Sequence, residues 1–583
     1  MTGLPTRARA TGVPSTRAAG EHSGRHGGER TSDDPPRWRR WSGALVTVLA
    51  VLLVWVALVA PVPVRGWRPA PVELLRLPAE GIVLVLLLLA VREGVARCLG
   101  AAVGVALGAL LAVRVLDVAF FAAMYRPFNP LTDWRYAGAA GSFLGDSTSP
   151  VTAVAVAVGA GLALLLLLVL TPWAVGRVRR ALRRHRRTSL RAAVGAAAVW
   201  VVLASVGWTT TSVAPVASTD VVRLASREAT GIRDGLRDRD AFAALVAADP
   251  MATVPARDLL TVLRGKDVLV VFVESYGRVA VEASPEVDRA LTTGTEALGS
   301  AGYAARSAWL TSPTFGGFSW LAHSTLQSGL WVDTSQRYDQ LLDTGATESP
   351  RLSLTRAFAG AGWRTVAVVP ADRRDWPEGE AFYGYDRIYD ARSLGYAGPG
   401  FGYAPVPDQF TLAALGRAEL GARSATARPP VMAEVDLVTS HVPWAPLPRL
   451  VDWASLGDGS VYAAQARTAT PADEVWSNPQ RLRAAYGASV AYSLDSIVGF
   501  LQQPRDQDPV VVVLGDHQPV AVVSGEDAGH DVPISILSSD PLVLQRISSW
   551  SWDVGLRPGP SSPVWAMDRF RDAFLTAFSP RAR

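Results

Sequence analysis

The chain has 583 residues, too many for one ordinary domain and enough for two or three. Apolar residues make up 49% and charged residues 19%, and the mean hydropathy is +0.19, a balance that points to membrane content. Lys+Arg number 57 against Asp+Glu 52, a formal charge of +5 in which Lys266 is the only lysine. We read that arginine excess as a compositional bias and not as a nucleic-acid signature. The single cysteine, Cys98, excludes an internal disulfide framework, a cysteine-based zinc site and an iron–sulfur cluster. Its apolar surroundings argue against a catalytic thiolate.

Residues 1–40 carry Gly, Pro, Ser, Thr and eight arginines with few large apolar side chains. Such a segment cannot bury enough surface to offset its ordering entropy and is expected to be disordered. The apolar run from about Leu45 to Val64 is longer than a signal-peptide core, and more apolar stretches follow, so it reads as a span and not as a leader. Five spans are expected, near 42–62, 77–95, 99–124, 151–175 and 192–211, each able to cross a hydrocarbon core of about 30 Å. Glu80 interrupts the second early. Between the fourth and fifth, residues 177–191 hold eight arginines, which mark the cytoplasmic side. The arginine-rich tail, four crossings away, then lies on that side too. The fifth span delivers everything after about residue 212 to the outer face. Within the third span Arg114 and Asp117 stand three residues apart. They pair on one helix face near the outer interface, or line a polar cavity for a lipid headgroup.

From 212 onward the composition is that of a globular domain, with a helical linker over 212–262 and an α/β domain over 263–583. Buried strands are expected at 268–273, 365–369, 431–438, 510–514 and 534–537. Helical patterns lie between them, as at Leu352–Ala361 and Leu482–Gln502. Strands alternating with helices imply a mostly parallel central sheet covered on both faces. In such sheets ligands gather beyond the carboxyl ends of the strands. The first strand ends in Glu274-Ser275-Tyr276-Gly277, a carboxylate placed to hold a cation or an ordinary end-of-strand acid. The 510–514 strand ends in Gly515-Asp516-His517, oxygen and nitrogen donors suited to a divalent metal. Of seven histidines, only His323, His441, His517 and His530 lie in this domain. Ser319 follows a Pro- and Gly-containing loop and opens a helix. Its hydroxyl either caps that helix or is a nucleophile beside the helix dipole.

In this order Glu274, Ser319 and Gly515-Asp516-His517 resemble the alkaline phosphatase superfamily. The resemblance is to its membrane-anchored sulfatase-like branch, the lipoteichoic acid synthase and lipid A phosphoethanolamine transferase group, and it covers about residues 42–540. It implies five N-terminal transmembrane helices and an extracellular alkaline-phosphatase/sulfatase-like catalytic domain. It also implies one divalent metal ion, zinc or manganese, on Glu274, Ser319, Asp516 and His517. Ser319 would be the nucleophile, with Ser328-Gly329 at the family's spacing, and Thr314 is a nearby competitor. His441, in Thr439-Ser440-His441, and His530 would serve the substrate. Asp436 and His441 are candidates for a second metal.

Trp376 departs from the Trp-x-Arg pair of the glycerol-phosphate transferases: Pro377 and Glu378 follow it, and Arg373 and Arg374 precede it. Ser319-Trp-Leu-Ala-His323 lacks the Pro and Arg of a formylglycine sulfatase motif. The implied activity is transfer of a phospho-substituent from a membrane phospholipid donor to an envelope glycan or glycolipid acceptor, at the plasma membrane and without nucleic acid. Hydrolysis of phosphate or sulfate esters at the same site is the alternative. The segment 445–480 is a substrate lid or a surface loop. Trp550, Trp552 and Trp565 either pack on the domain or touch the membrane interface.

Overall fold

A computed structural model describes residues 37–60, 71–124, 126–147, 149–209, 215–347, 351–421 and 428–579. The expected disordered tail lies outside the described residues up to residue 36, and residues 37–40 already belong to the first helix. The chain falls into two compact units, 1–49 and 50–583. The described part of the first is the opening of helix α1 (Arg37–Val59), in which Thr47 Oγ1 donates to the Gly43 carbonyl at 2.8 Å.

The second unit begins with a helical half. It comprises α2 (Ala79–Ala90), α3 (Glu93–Met124), α4 (Tyr136–Ser147), α5 (Pro150–Arg184), α6 (Arg186–Val206) and α7 (Asp220–Ala247). Among the described residues four helices are long and apolar enough to cross a membrane: α1, α3, α5 and α6. The second expected span is shorter, a helix of 12 residues. It starts only after Pro78, because Leu77 and Pro78 pair in parallel with Ala217 and Ser218, and it stops at Val91 in extended backbone. Helices α3 and α5 pack closely. A Cβ on Gly104 would come within 2.4 Å of the Pro172 Cα, so only glycine allows the approach. Glu93 pairs with Arg179 and, at 3.0 Å, with Arg183, which also donates to the Leu88 carbonyl at 2.7 Å. Part of the arginine-rich loop is therefore spent on closing the bundle. Arg114 and Asp117 bond elsewhere than to each other. Arg114 donates to the Ala57 carbonyl at 2.9 Å, and Asp117 accepts from the Phe128 amide at 2.9 Å and from Arg227 at 2.6 Å.

The α/β half is built on a nine-stranded sheet. Its strands are β1 (Val268–Val273), β2 (Ala304–Thr311), β3 (Arg364–Val369), β4 (Arg387–Asp390), β5 (Val431–Leu437), β6 (Val510–Gly515), β7 (Asp531–Ser538), β8 (Asp553–Val554) and β9 (Val564–Ala566). The spatial order is β8-β2-β7-β6-β1-β5-β3-β4, with β9 also on β2. From β6 to β4 all pairings are parallel; β7 and β8 run antiparallel to their neighbours. Strand β1 is buried on both faces, hence its unbroken apolar run. Leu269, Val271 and Val273 face one core, covered by α8 (Pro285–Ser300) and α10 (Pro479–Leu501). Val268, Val270 and Phe272 face the other, covered by α9 (Ser319–Ser328) and α11 (Arg569–Phe578). The C-terminal tryptophans belong to this second core: Trp552 and Trp565 are buried, and Trp550 packs on both at 5.1 and 5.0 Å.

The α11 helix is pinned by one buried ion pair. Arg571, with no exposed surface, forms two hydrogen bonds to Asp249, at 2.9 and 3.0 Å, and one to the Leu352 carbonyl at 2.6 Å. Burial opposes ionisation of Asp249, but Arg571 and Arg351 outweigh it and hold the carboxyl below its ordinary value. Arg571→Leu leaves Asp249 buried without its partner and should cost about 3–5 kcal/mol, read as earlier unfolding of the full-length protein in detergent. Because the depressed carboxyl stabilises the fold only where it is ionised, the gap to wild type should narrow as pH falls below about 4.

Candidate active site and metal centre

Strands β1 and β6 pair in register, Val273 opposite Gly515. The residues that follow each strand, Glu274 and Asp516, therefore emerge side by side at the carboxyl edge. Gly515 is needed there, since a Cβ would lie 1.9 Å from the Tyr276 carbonyl oxygen. Asp516 Oδ1 accepts from the backbone amides of Ser275 and His517, both at 2.7 Å. Its Oδ2 lies 3.5 Å from His517 Nε2, and Glu274 Oε1 lies 3.3 Å from the same nitrogen. Ser319 is the first residue of α9, after Phe318 in left-handed backbone (φ 62°). Its Oγ donates to Glu274 Oε2 at 3.1 Å and lies 3.4 Å from His517 Nε2. The hydroxyl thus faces the carboxylates and does not cap its helix. Thr314, the competing hydroxyl, donates to the Gly317 carbonyl at 2.7 Å.

Glu274, Asp516 and His517 are all buried, and one donor atom of each lies within 4.8 Å of the others. Buried carboxylates at this spacing need a counter-charge. Burial opposes the charge on Glu274, but His517 and His441 outweigh it and hold its carboxyl well below the usual range. Burial, with Glu274 beside it, pushes Asp516 up to about 6. Burial also opposes the charge on His517, while Asp516 and Glu274 raise it to about 9. The imidazole bonds through Nδ1 to the Gln518 carbonyl at 2.8 Å. That contact orients the ring with Nε2 toward the carboxylates, an arrangement common to metal-ligating histidines. Two carboxylates, an imidazole nitrogen and a hydroxyl suit zinc or manganese.

His441 and His530 repeat the backbone anchorage. His441 Nδ1 lies 2.6 Å from the Val442 carbonyl, and the ring stacks on Tyr403 at 3.7 Å. It stands close enough to Glu274 and His517 for their charges to act on it. His530 Nδ1 lies 3.1 Å from the Ser312 carbonyl, just before β7. Because β7 runs antiparallel, its start meets the ends of the parallel strands. Over 445–480 the chain forms short helical turns, and Trp476 from this segment stacks on Trp444, beside the His441 turn, at 6.0 Å.

A second cluster stands one helical turn along α9. His323 Nδ1 lies 3.1 Å from Glu434 Oε1 and 3.6 Å from Asp436 Oδ1. Asp436 is thus joined by His323 and Glu434, whereas the sequence had suggested His441 as its companion. The missed signal is the spacing within Val431-Met-Ala-Glu-Val-Asp-Leu437: two acids, two residues apart, on one face of an otherwise apolar strand. Burial opposes the charge on His323, and Asp436 with Glu434 raises it to about 9. Burial pushes Asp436 up to about 7. Trp376, Arg374, Asp372 and Asp390 line a neighbouring cavity of about 320 Å³.

The helical half reaches the nucleophile loop directly. Tyr136, at the start of α4, meets Phe318 edge-on at 4.4 Å and stacks near Trp320 at 6.3 Å, the two residues that flank Ser319. Arg126 holds Asp133 through two bonds of 2.7 and 2.9 Å, and Ser335 Oγ donates to the Thr132 carbonyl at 2.8 Å.

These features define a buried cluster of two carboxylates and an imidazole, able to hold a metal ion, with a hydroxyl aimed into it at the carboxyl edge of an α/β sheet. No family model matches the chain, and no curated protein matches it. Among solved structures, the chain is similar to the integral membrane lipooligosaccharide phosphoethanolamine transferase A of Neisseria meningitidis. That likeness has 14% identity, covers 91% of this chain and 95% of that one, and has a TM-score of 0.45. It is also similar to the lipoteichoic acid synthase LtaP of Listeria monocytogenes (14% identity, 55% and 73% covered, TM-score 0.32). A third is the phosphoglycerol transferase GacH of Streptococcus pyogenes (11% identity, 58% and 91% covered, TM-score 0.32).

Zinc or manganese added at about 100 times the dissociation constant of the Glu274 cluster should stabilise chelator-treated protein by about 2.7 kcal/mol through that cluster; thermal shift measures it, and Glu274→Gln should remove that share. Tyr136→Ala should lower turnover several-fold while leaving metal content unchanged, because it loosens the elbow at Phe318 without touching a ligand; activity and metal analysis on one preparation check both.

Proposed function

We propose that the chain is a membrane-anchored, metal-dependent phosphotransferase. In this reading it has five transmembrane helices, α2 serving as the short second span, and an extracellular catalytic domain at the plasma membrane. The supporting observation is the aim of Ser319 Oγ, 3.1 Å from Glu274 and 3.4 Å from His517. Glu274, Asp516, His517 and the Ser319 hydroxyl would hold zinc or manganese. When bound, the ion lowers the hydroxyl's pKa and offsets the charge that develops on the phosphoryl oxygens.

Ser319 Oγ, its proton released to solvent as its pKa falls, attacks the phosphorus of a phospholipid donor in line. The Oγ–P bond forms, the bond from phosphorus to the donor's leaving oxygen breaks, and that oxygen takes a proton from His441 or His530. The hydroxyl of an envelope glycan or glycolipid then attacks the phosphoserine, returns a proton to the same imidazole and frees Ser319. Backbone carbonyls hold both rings by Nδ1, so Nε2 is the nitrogen that carries the proton in each. A donor that stays in the bilayer suits a nucleophile whose flanking aromatics pack on Tyr136 of the helical half.

The test is intact-mass analysis of full-length protein incubated in lipid vesicles with labelled phospholipid. A phospho-adduct on Ser319 together with a lipid product is expected, and Ser319→Ala should abolish the adduct and lower turnover by at least about 10³-fold. Release of the labelled group to water with no acceptor modified would assign a hydrolase. An adduct that persists in Ser319→Ala would move the nucleophile elsewhere.

A further inference from the structure

We propose that His323, Glu434 and Asp436 form a second divalent-cation site, separate from the Glu274, Asp516 and His517 cluster and sharing no ligand with it. The placement follows from two periodicities. Glu434 and Asp436 alternate with the apolar residues of β5 and pair in register with Val270 and Phe272, so they point to the face that α9 covers. On α9, His323 lies four residues beyond Ser319, hence on the same side of the helix and one turn further along. One donor atom from each of the three residues lies within 4.8 Å of the others.

The donors are oriented by their surroundings, as metal ligands are. The His323 ring stacks on Phe272 at 3.7 Å and 12°. The second oxygen of Glu434 accepts from the Tyr385 hydroxyl at 2.9 Å and from the Gln327 side-chain amide. Gln327 is held in turn through its carbonyl oxygen by the Thr355 amide and hydroxyl, at 3.0 and 3.1 Å. Asp436 Oδ1 is shut off from solvent and accepts no hydrogen bond among the described residues.

Charge points the same way. Among the described residues no lysine or arginine pairs with Glu434 or Asp436, and a third carboxylate, Asp372, is near enough for its charge to be felt at His323. Three acids thus face one imidazole in the interior. Buried charge of this kind is paired or bound to metal. Asp372 also lines the cavity of about 320 Å³. One nitrogen and two carboxylates match zinc or manganese. The inference concerns binding alone and stands whether or not the phosphotransfer reading holds.

The test is metal counting on the full-length protein in detergent, stripped with chelator, reloaded with zinc or manganese alone and freed of loose ion. Two equivalents are expected for wild type. Glu434→Gln and Asp436→Asn should each retain one, Glu274→Gln should retain one, and Glu274→Gln with Glu434→Gln should retain none. A wild-type protein whose single equivalent is lost in Glu274→Gln but kept in Glu434→Gln would overturn the proposal and leave an imidazolium–carboxylate ion pair in its place. So would a second equivalent that survives both Glu434→Gln and Asp436→Asn but is lost in His441→Ala. Should Glu434→Gln fail to fold, Asp436→Asn and His323→Gln carry the same comparison, and the thermal shift from the Glu274 cluster reports that the rest of the domain is intact.

Discussion

The site depends on one register. Strands β1 and β6 lie next to each other in parallel with Val273 opposite Gly515, so the first residue beyond each is an acid, and the two acids meet. Both carboxylates are buried, and burying like charges is costly unless a cation or an imidazolium stands between them. His517, the next residue on the β6 side, supplies nitrogen at the same point. Everything else is arranged around that cluster: backbone amides hold Asp516, the Gln518 carbonyl holds His517, and Ser275 and Ser319 hydroxyls bond to Glu274. A slip of one residue between β1 and β6 would turn one acid to the opposite face of the sheet and dissolve the centre.

Ser319 arrives from a different element and is held by a different force. Helix α9 covers the face of the sheet that carries Phe272, and its first residue is delivered by a left-handed Phe318. That strained position is braced from outside the α/β half by Tyr136, the Arg126–Asp133 pair and the Ser335 bond to Thr132. The helical half is therefore a wall of the nucleophile loop as well as an anchor. Helix α7 adds a second tie, with Arg227 bonded to Asp117 of α3 and Asp238 to Arg337 of the α/β half. The geometry at Ser319 is thereby set relative to the apolar helices.

Helix α9 also places two polar clusters on one side of the sheet. Ser319 opens it at the Glu274 cluster, and His323 meets Glu434 and Asp436 one turn later. The cavity bounded by Trp376, Arg374 and Asp372 continues the same line along the carboxyl edge toward β4.

Local pattern alone determined much of this. The apolar runs at 268–273 and 510–515 are strands because a strand buried on both faces must be apolar throughout. The acids and the histidine that follow them were legible for the same reason, as abrupt polar residues at the ends of such runs. Strand β2 was not legible, since Ala304–Thr311 mixes small, charged and aromatic residues and is made a strand by its partners β7 and β9. Which hydroxyl faces the acids was also beyond the sequence: Thr314 and Ser319 share one loop, and only the path of that loop turns one to Gly317 and the other to Glu274. Likewise Asp436 could be read as a ligand, but its companions could not, because His323 is 113 positions away and reaches it only where α9 crosses β5. Composition and periodicity decide what each segment becomes; which distant side chains share a few cubic ångströms is decided by register and helix crossing, which are properties of the packed whole.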